Sequence, residues 1–244
     1  MIKLIKKGAL LLLISIMAWT WQSASANPIA TFVVTAGNMQ NWSMYTVDNG
    51  FHKFAEGPGR PLAGKGSLIA TVDGNDMVGL QRFDYVNEPL DILFIDYATY
   101  HKGKPDNDWF MNLYVKAGGD QTTANCRLNF NGVIRSNRWS RKGPMSGARG
   151  WTVHNHNPDA PGHMPCPYQY TDYGKQKTWR EVLSEFKKRG FKPVIKPDGF
   201  YGPATIEFAI GYPSRGAHQG DYIESALDSI QINEFLWDFE LNAP

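Results

Sequence analysis

The chain has 244 residues, with 25 Lys and Arg against 23 Asp and Glu, 24 Gly, 15 Pro and two Cys. Charges this evenly matched give no reason to expect nucleic acid or an anionic membrane surface as a partner. An aromatic-rich chain punctuated by Gly and Pro fits many short strands joined by turns, and the expected class is an all-β sandwich.

Residues 1–26 read MIKLIKKGALLLLISIMAWTWQSASA. Lys3, Lys6 and Lys7 precede a short apolar run, Gly8 to Ala18, and Ala24-Ser25-Ala26 is an A-x-A cleavage signal. This is the pattern of a signal peptide, so the protein is expected to be secreted or periplasmic, with no transmembrane segment after cleavage. Without the leader's three lysines, 22 basic residues face 23 acidic ones. Residues 27–244 are expected to form a single sandwich domain with an irregular insertion at 136–177. Cys126 and Cys166 are expected to pair in an oxidising compartment; the alternative is two separate buried thiols.

In chain order, strands are predicted at Asn27 to Val34, Trp42 to Val47, Ser67 to Val72 and Met77 to Phe83, with a Gly/Pro loop from Glu56 to Gly66. Leu90 to Ala117 reads as a long antiparallel hairpin, LDILFIDYATY and WFMNLYVKA around a polar middle. In its second arm Trp109, Met111, Leu113 and Val115 alternate with Phe110, Asn112, Tyr114 and Lys116, so one face is apolar. Asn125 to Phe130 is a further strand, ending at the hairpin-type turn Asn131-Gly132 with Val133 to Arg135 beginning the return. Gly150 to His156 is a strand inside the irregular region. Thr178 and Glu181 form a capping box for one packed helix at about 178–189, with Trp179, Val182, Leu183 and Phe186 on its apolar stripe and Gly190 after its end. Thr205 to Tyr212 and Ala226 to Ile232 complete the strands, the last one continuing towards Phe239.

The runs GPGRPLAGKGSLIATV, PLDILFIDYATY, MNLYV, TWREV and ALDSIQI together resemble a group of secreted bacterial jelly-roll domains, similar to carbohydrate-binding and concanavalin-like sandwiches and mostly of unassigned activity. The likeness spans roughly 57–132 and 178–232. It implies an antiparallel jelly-roll fold and a glycan as ligand. Alternation puts Asp228 on the same strand face as Ile230 and Ile232, so it is expected to point inward. The resemblance implies that it holds either a structural calcium or the N-terminal strand; a plain hydrogen-bonded carboxylate is the other reading. Where similar domains carry an acidic, calcium-type loop, Gly118 to Thr123 here has one carboxylate, Asp120, too few for the six to eight oxygens calcium takes.

No nucleophile elbow, zinc-protease motif or phosphate loop is present, and no spacing singles out two acids as a glycosidase pair. His154 and His156 lie two apart on one strand face, with His163 and Cys166 following; they are candidate metal ligands, against the alternative of a solvated loop edge. Arg135 to Arg149 is a basic run around Trp139, suited to an anionic polysaccharide or single-stranded nucleic acid, the alternative being a solvated loop partly balanced by the acidic C-terminal segment. Aromatic rings with polar neighbours suit the flat C–H faces and hydroxyls of sugars. Tyr97, Tyr100, Phe110, Asn112, Tyr114 and Trp139 are therefore the candidate ligand-binding residues, the alternative for the rings being core packing. The expected function is a non-catalytic binding or matrix protein for an extracellular glycan. The alternative is a polysaccharide hydrolase or lyase, which would show two convergent carboxylates or a His/Tyr/Arg set. No cofactor is expected beyond the calcium considered at Asp228.

Overall fold

In the computed structural model, the residues described are 28, 30–73, 75–103, 107–118, 123–158, 164–199, 201–211 and 222–242. Residues 1–26, expected to be a leader, and Asp120 and His163 lie outside them.

The chain forms two stacked sheets and one α-helix. The first sheet holds seven strands: β1 (Ala30–Val34), β3 (Phe51–Glu56), β4 (Gly66–Val72), β6 (Ile95–Lys102), β9 (Trp139–Arg141), β14 (Ile223–Ile232) and β15 (Phe235–Phe239). The second holds eight: β2 (Trp42–Val47), β5 (Met77–Arg82), β7 (Phe110–Lys116), β8 (Cys126–Phe130), β10 (Arg149–Asn155), β11 (Lys177–Thr178), β12 (Val194–Ile195) and β13 (Ile206–Gly211). Pairing is antiparallel except for β1 on β15. β14 is the spine of the first sheet. One of its edges carries β6, and the other is shared by β4 and β15.

Inward-facing residues of alternating strands fill the space between the sheets. Tyr97, Trp109, Met111, Leu113, Phe130, Trp151, Phe208, Leu227 and Trp237 all lie in this core. The helix, α1 (Trp179–Lys188), has the expected capping box and buries Trp179, Val182 and Phe186. Trp179 stacks 4.8 Å from Trp151, so the helix closes the β10 end of the core. Its ten residues could not hold a helix alone in water, and this packing supplies the difference. Cys126 and Cys166 form a disulfide that ties β8 to the segment before the helix.

Two expected hairpins are absent. Both arms of 90–117 contain strands, but β6 belongs to the first sheet and β7 to the second, and β6 pairs with β14 and β9 instead. Ile92 is exposed and precedes the strand. After Asn131-Gly132 the chain does not fold back on β8. Val133 is exposed, and the next strand, β9, joins the first sheet. The physical reason is common to both: each of these strands has one apolar face to bury, and crossing between the layers buries it against the other sheet. β3 and β9 were not expected as strands, and the last strand is two, β14 and β15, separated at Asn233.

Candidate functional site

Alternation assigns each side chain to the core or to an outer face. On β7, Met111, Leu113 and Val115 enter the core, so Phe110, Asn112, Tyr114 and Lys116 face outward, as the pattern predicts. The register extends that outward row across the second sheet. Gln81 on β5 pairs with Glu207 on β13, Glu207 with Asn112, Asn112 with Asn129 on β8, and Asn129 with Thr152 on β10. A neighbouring row runs Tyr114, Arg127, His154.

These side chains interlock. The carboxylate of Glu207, 1% exposed, accepts four hydrogen bonds. Its Oε1 takes the Tyr45 hydroxyl at 2.7 Å and Gln81 Nε2 at 3.2 Å; its Oε2 takes Asn112 Nδ2 at 2.7 Å and the Tyr114 hydroxyl at 2.6 Å. Four acceptor positions and four donors match the capacity of one carboxylate. Asn129 Nδ2 then donates to Asn112 Oδ1 at 2.9 Å, and Asn131 donates to Asn129. Burial, followed by the adjacent Glu207, pushes the Tyr45 phenol far above its ordinary range, so it stays a donor.

Gly79 makes this arrangement fit. It lies opposite Tyr45 in the β2–β5 register, and a Cβ there would fall 2.1 Å from the Tyr45 ring. Without a side chain at that point, Tyr45 lies across β5 and reaches Glu207 on the strand beyond.

Rings stand at both ends of the polar rows. Tyr201, 45% exposed, lies 4.7 Å from Tyr45, and half-buried Phe110 sits near the middle. At the other end Tyr173, 42% exposed, places its hydroxyl 3.2 Å from His154 Nε2, which also lies 2.9 Å from the Thr152 hydroxyl. Arg127 is the cross-strand neighbour of His154. The result is a buried, mutually satisfied polar row with half-buried or exposed rings beside it and at its ends. Glu207 is the one carboxylate that the strands carry on this face among the described residues.

The six expected ligand-binding residues divide over three places. Phe110, Asn112 and Tyr114 lie on the face just described, although Tyr114 is fully buried, against His156 at 5.0 Å and in a small cluster with Ala124 and Ala204. Tyr97 is in the core between the sheets, its hydroxyl donating to the Trp109 carbonyl. Tyr100 and Trp139 stack edge-on, 5.8 Å apart, on the outer face of the first sheet. There the Trp139 indole donates to the Pro58 carbonyl at 2.7 Å, so the Gly/Pro loop folds over them. The missed residues are Glu207, Tyr45, Gln81 and Gly79. Their signal was an acid in the middle of the apolar strand TIEFAIGY and a glycine inside MVGLQR.

Asp228 and Ile230 do not share a face. The register slips between Asp228 and Gln231, with Ser229 at φ +53°, so this β-bulge leaves Ile230 and Ile232 inward and sets Asp228 opposite Ala98 on the other side. Asp228 is nonetheless fully buried, because the 57–66 loop covers it. Its oxygens accept from the N–H groups of Ala63 and Phe239 and from the Ser229 hydroxyl. A ring of donors suits a carboxyl group, whereas a calcium ion requires oxygens turned towards it. His154 and His156 also take separate partners: His156 Nε2 meets the Asp198 carbonyl at 2.6 Å. Among the described residues, no group of three or more His, Cys, Asp or Glu is placed to hold a metal. The basic run is largely spent locally, with Arg141 on Asp96, Arg149 on Glu181 and Lys142 on Asp108.

No protein-family model and no curated protein matches the chain. Among solved structures it is similar to a family 11 carbohydrate-binding module from Clostridium thermocellum, in complex with a β-1,3-1,4-mixed-linked tetrasaccharide. The TM-score is 0.40 at 9% identity, covering 86% of this chain and 95% of that one. It is also similar to a protein of unknown function from Shewanella oneidensis MR-1, at a TM-score of 0.32 and 9% identity, covering 82% of each chain.

Proposed function

We propose that residues 27–244 act as one exported domain, a non-catalytic binding or matrix protein that holds an extracellular glycan along the outer face of the second sheet. The observation that carries this reading is the interlocked row Gln81–Glu207–Asn112–Asn129 between the rings of Tyr201, Phe110 and Tyr173. Both parts contribute. The C–H faces of sugars gain dispersion and burial against rings. The interlocked row beneath holds the strands that carry the rings in place, which lowers the ordering cost of binding. The leader sequence and the disulfide fit an oxidising, extracytoplasmic setting. The test is a glycan array with the mature protein, repeated with Tyr201→Ala and Tyr173→Ala. Binding to a defined class of glycan that both substitutions weaken supports the reading; a flat response across plant, bacterial and host glycans counts against it.

One observation favours a second reading, a polysaccharide lyase. His154 and Tyr173 are in hydrogen-bond contact beside Arg127, a set able to move a proton next to a carboxylated sugar. Incubation with uronic-acid polymers, followed by absorbance of newly unsaturated ends, separates the two readings. Steady production of such ends, lost in His154→Ala, would replace the binding reading with an enzymatic one.

A further inference from the structure

The space between the sheets holds a second arrangement, separate from the polar row on the second sheet's outer face. Asp108, just ahead of β7, and Lys142, just after β9, meet with Lys142 Nζ 2.6 Å from Asp108 Oδ2. Their side chains are 3% and 1% exposed. Lys142 Nζ also donates to the Val133 carbonyl at 2.9 Å, which fixes its approach. Asp108 Oδ1 accepts the Trp109 backbone N–H at 2.8 Å and the Ser225 hydroxyl at 2.6 Å. Oδ2 accepts the Thr99 hydroxyl at 2.6 Å. Tyr97 lies nearby, and His101 is the buried cross-strand neighbour of Ser225.

Taking an ammonium and a carboxylate out of water is costly even when they are paired. Amide formation requires one proton to pass from the nitrogen to the oxygen, and the 2.6 Å contact gives it a direct path. A neutral amine held against a carboxyl group is a nucleophile already in position, with the entropy of approach spent during folding. The two donors on Oδ1 sit where negative charge would gather in a tetrahedral intermediate. The Thr99 hydroxyl sits on Oδ2, the oxygen that would leave.

We propose that Lys142 and Asp108 condense to an intramolecular isopeptide bond. The Nζ–Cγ bond forms and the Cγ–Oδ2 bond breaks. The ammonium gives up two of its three protons, which leave with Oδ2 as one water, and the third remains on the amide nitrogen. No oxidant, reductant or cofactor enters the balance. The product replaces a buried ion pair by a neutral amide that keeps the Trp109 and Ser225 donors on its oxygen. Asp108 leads into a strand of the second sheet and Lys142 leaves a strand of the first, so the bond staples the two layers. The disulfide, by contrast, anchors a loop to one layer.

Intact-mass spectrometry of the purified, reduced and denatured mature protein tests this directly. The expected mass is about 18 Da below that of the sequence, the loss of one water. Asp108→Ala and Lys142→Ala should restore the full sequence mass. Asp108→Asn should instead lose ammonia, about 17 Da. Tryptic mapping should recover one branched species joining the Asp108 and Lys142 peptides. A wild-type protein at full mass overturns the proposal, and the measurement needs no variant to fold. A water loss that maps to any other peptide overturns it as well.

Discussion

Across the outer face of the second sheet one row reads Gln81, Glu207, Asn112, Asn129 and Thr152; across the outer face of the first, a row reads Lys53, Ile69, Ala226, Tyr100 and Trp139. Both rows arise from the same alternation, and both contain or adjoin aromatic rings. On the second sheet the polar groups hold one another, leaving Tyr201 and Tyr173 exposed at the ends. On the first sheet the rings are engaged by the Gly/Pro loop, whose Ala63 N–H also reaches Asp228. Aromatic content alone therefore does not locate a ligand face. What separates the two is that on the second sheet the polar side chains are spent on one another while Tyr201 and Tyr173 stay exposed, whereas on the first a loop engages the rings.

Removing the hub of the polar row should produce the largest effect. Glu207→Ala leaves Tyr45, Gln81, Asn112 and Tyr114 with donors aimed at a void, and about 3–5 kcal/mol of stability should be lost. Lys53→Ala, in the corresponding row of the other face, should change stability by no more than about 0.5 kcal/mol. Urea unfolding of the two variants measures the contrast. Reducing the disulfide comes next. It closes a 40-residue separation, worth about 4 kcal/mol in the chain-entropy model. The melting temperature should fall in reductant and in Cys166→Ser.

The first sheet should show its own character in the pH dependence. Burial pushes Asp228 up to about 6 against the opposing hydrogen bonds from Phe239, Ala63 and Ser229. Burial, then the charges of Asp228 and Glu240, push Asp238 up to about 6. From an unfolded value of 3.8, the folded protein holds more protons than the unfolded chain between pH 4 and pH 6, roughly. The stability these two groups contribute is therefore fully present below about pH 4, falls as the pH rises to about 6, and is level above that. The loss should be on the order of 1–3 kcal/mol, with half-buried Asp238 giving the smaller part. Urea midpoints at pH 4.5 and pH 7 should differ less in Asp228→Asn than in the wild type.

Much of the fold was legible because each strand carries its own period-two pattern, and the helix carries its capping box and apolar stripe. The pairing of strands was not. Nothing within Leu90 to Ala117 says that its two strands enter different sheets, because the partners of β6 lie outside it: β14, more than a hundred residues on, and β9, about forty residues on. The outward face of β7 was read correctly, which is why Phe110 and Asn112 belong to the candidate face. Tyr97 was named a candidate ligand residue with core packing as the alternative, and it is the alternative that β6 realises. The inward reading of Asp228 failed at a single bulge, Ser229, which no alternation pattern marks. Glu207 was missed because one acid in an apolar strand carries no motif; only the cross-strand register shows that it faces Asn112 and Gln81.

The smallest energetic effects discriminate most between the two faces. Tyr201→Ala and Tyr173→Ala should each weaken glycan binding about tenfold, roughly 1.4 kcal/mol, with little change in stability. Tyr100→Ala and Trp139→Ala should cost about 1–3 kcal/mol of stability and leave binding unchanged. The deciding measurement is calorimetric titration of the best array glycan into the wild type, Tyr201→Ala and Trp139→Ala. The account predicts saturable binding that Tyr201→Ala weakens and Trp139→Ala does not. Binding abolished by Trp139→Ala and untouched by Tyr201→Ala would place the ligand on the other sheet and contradict it.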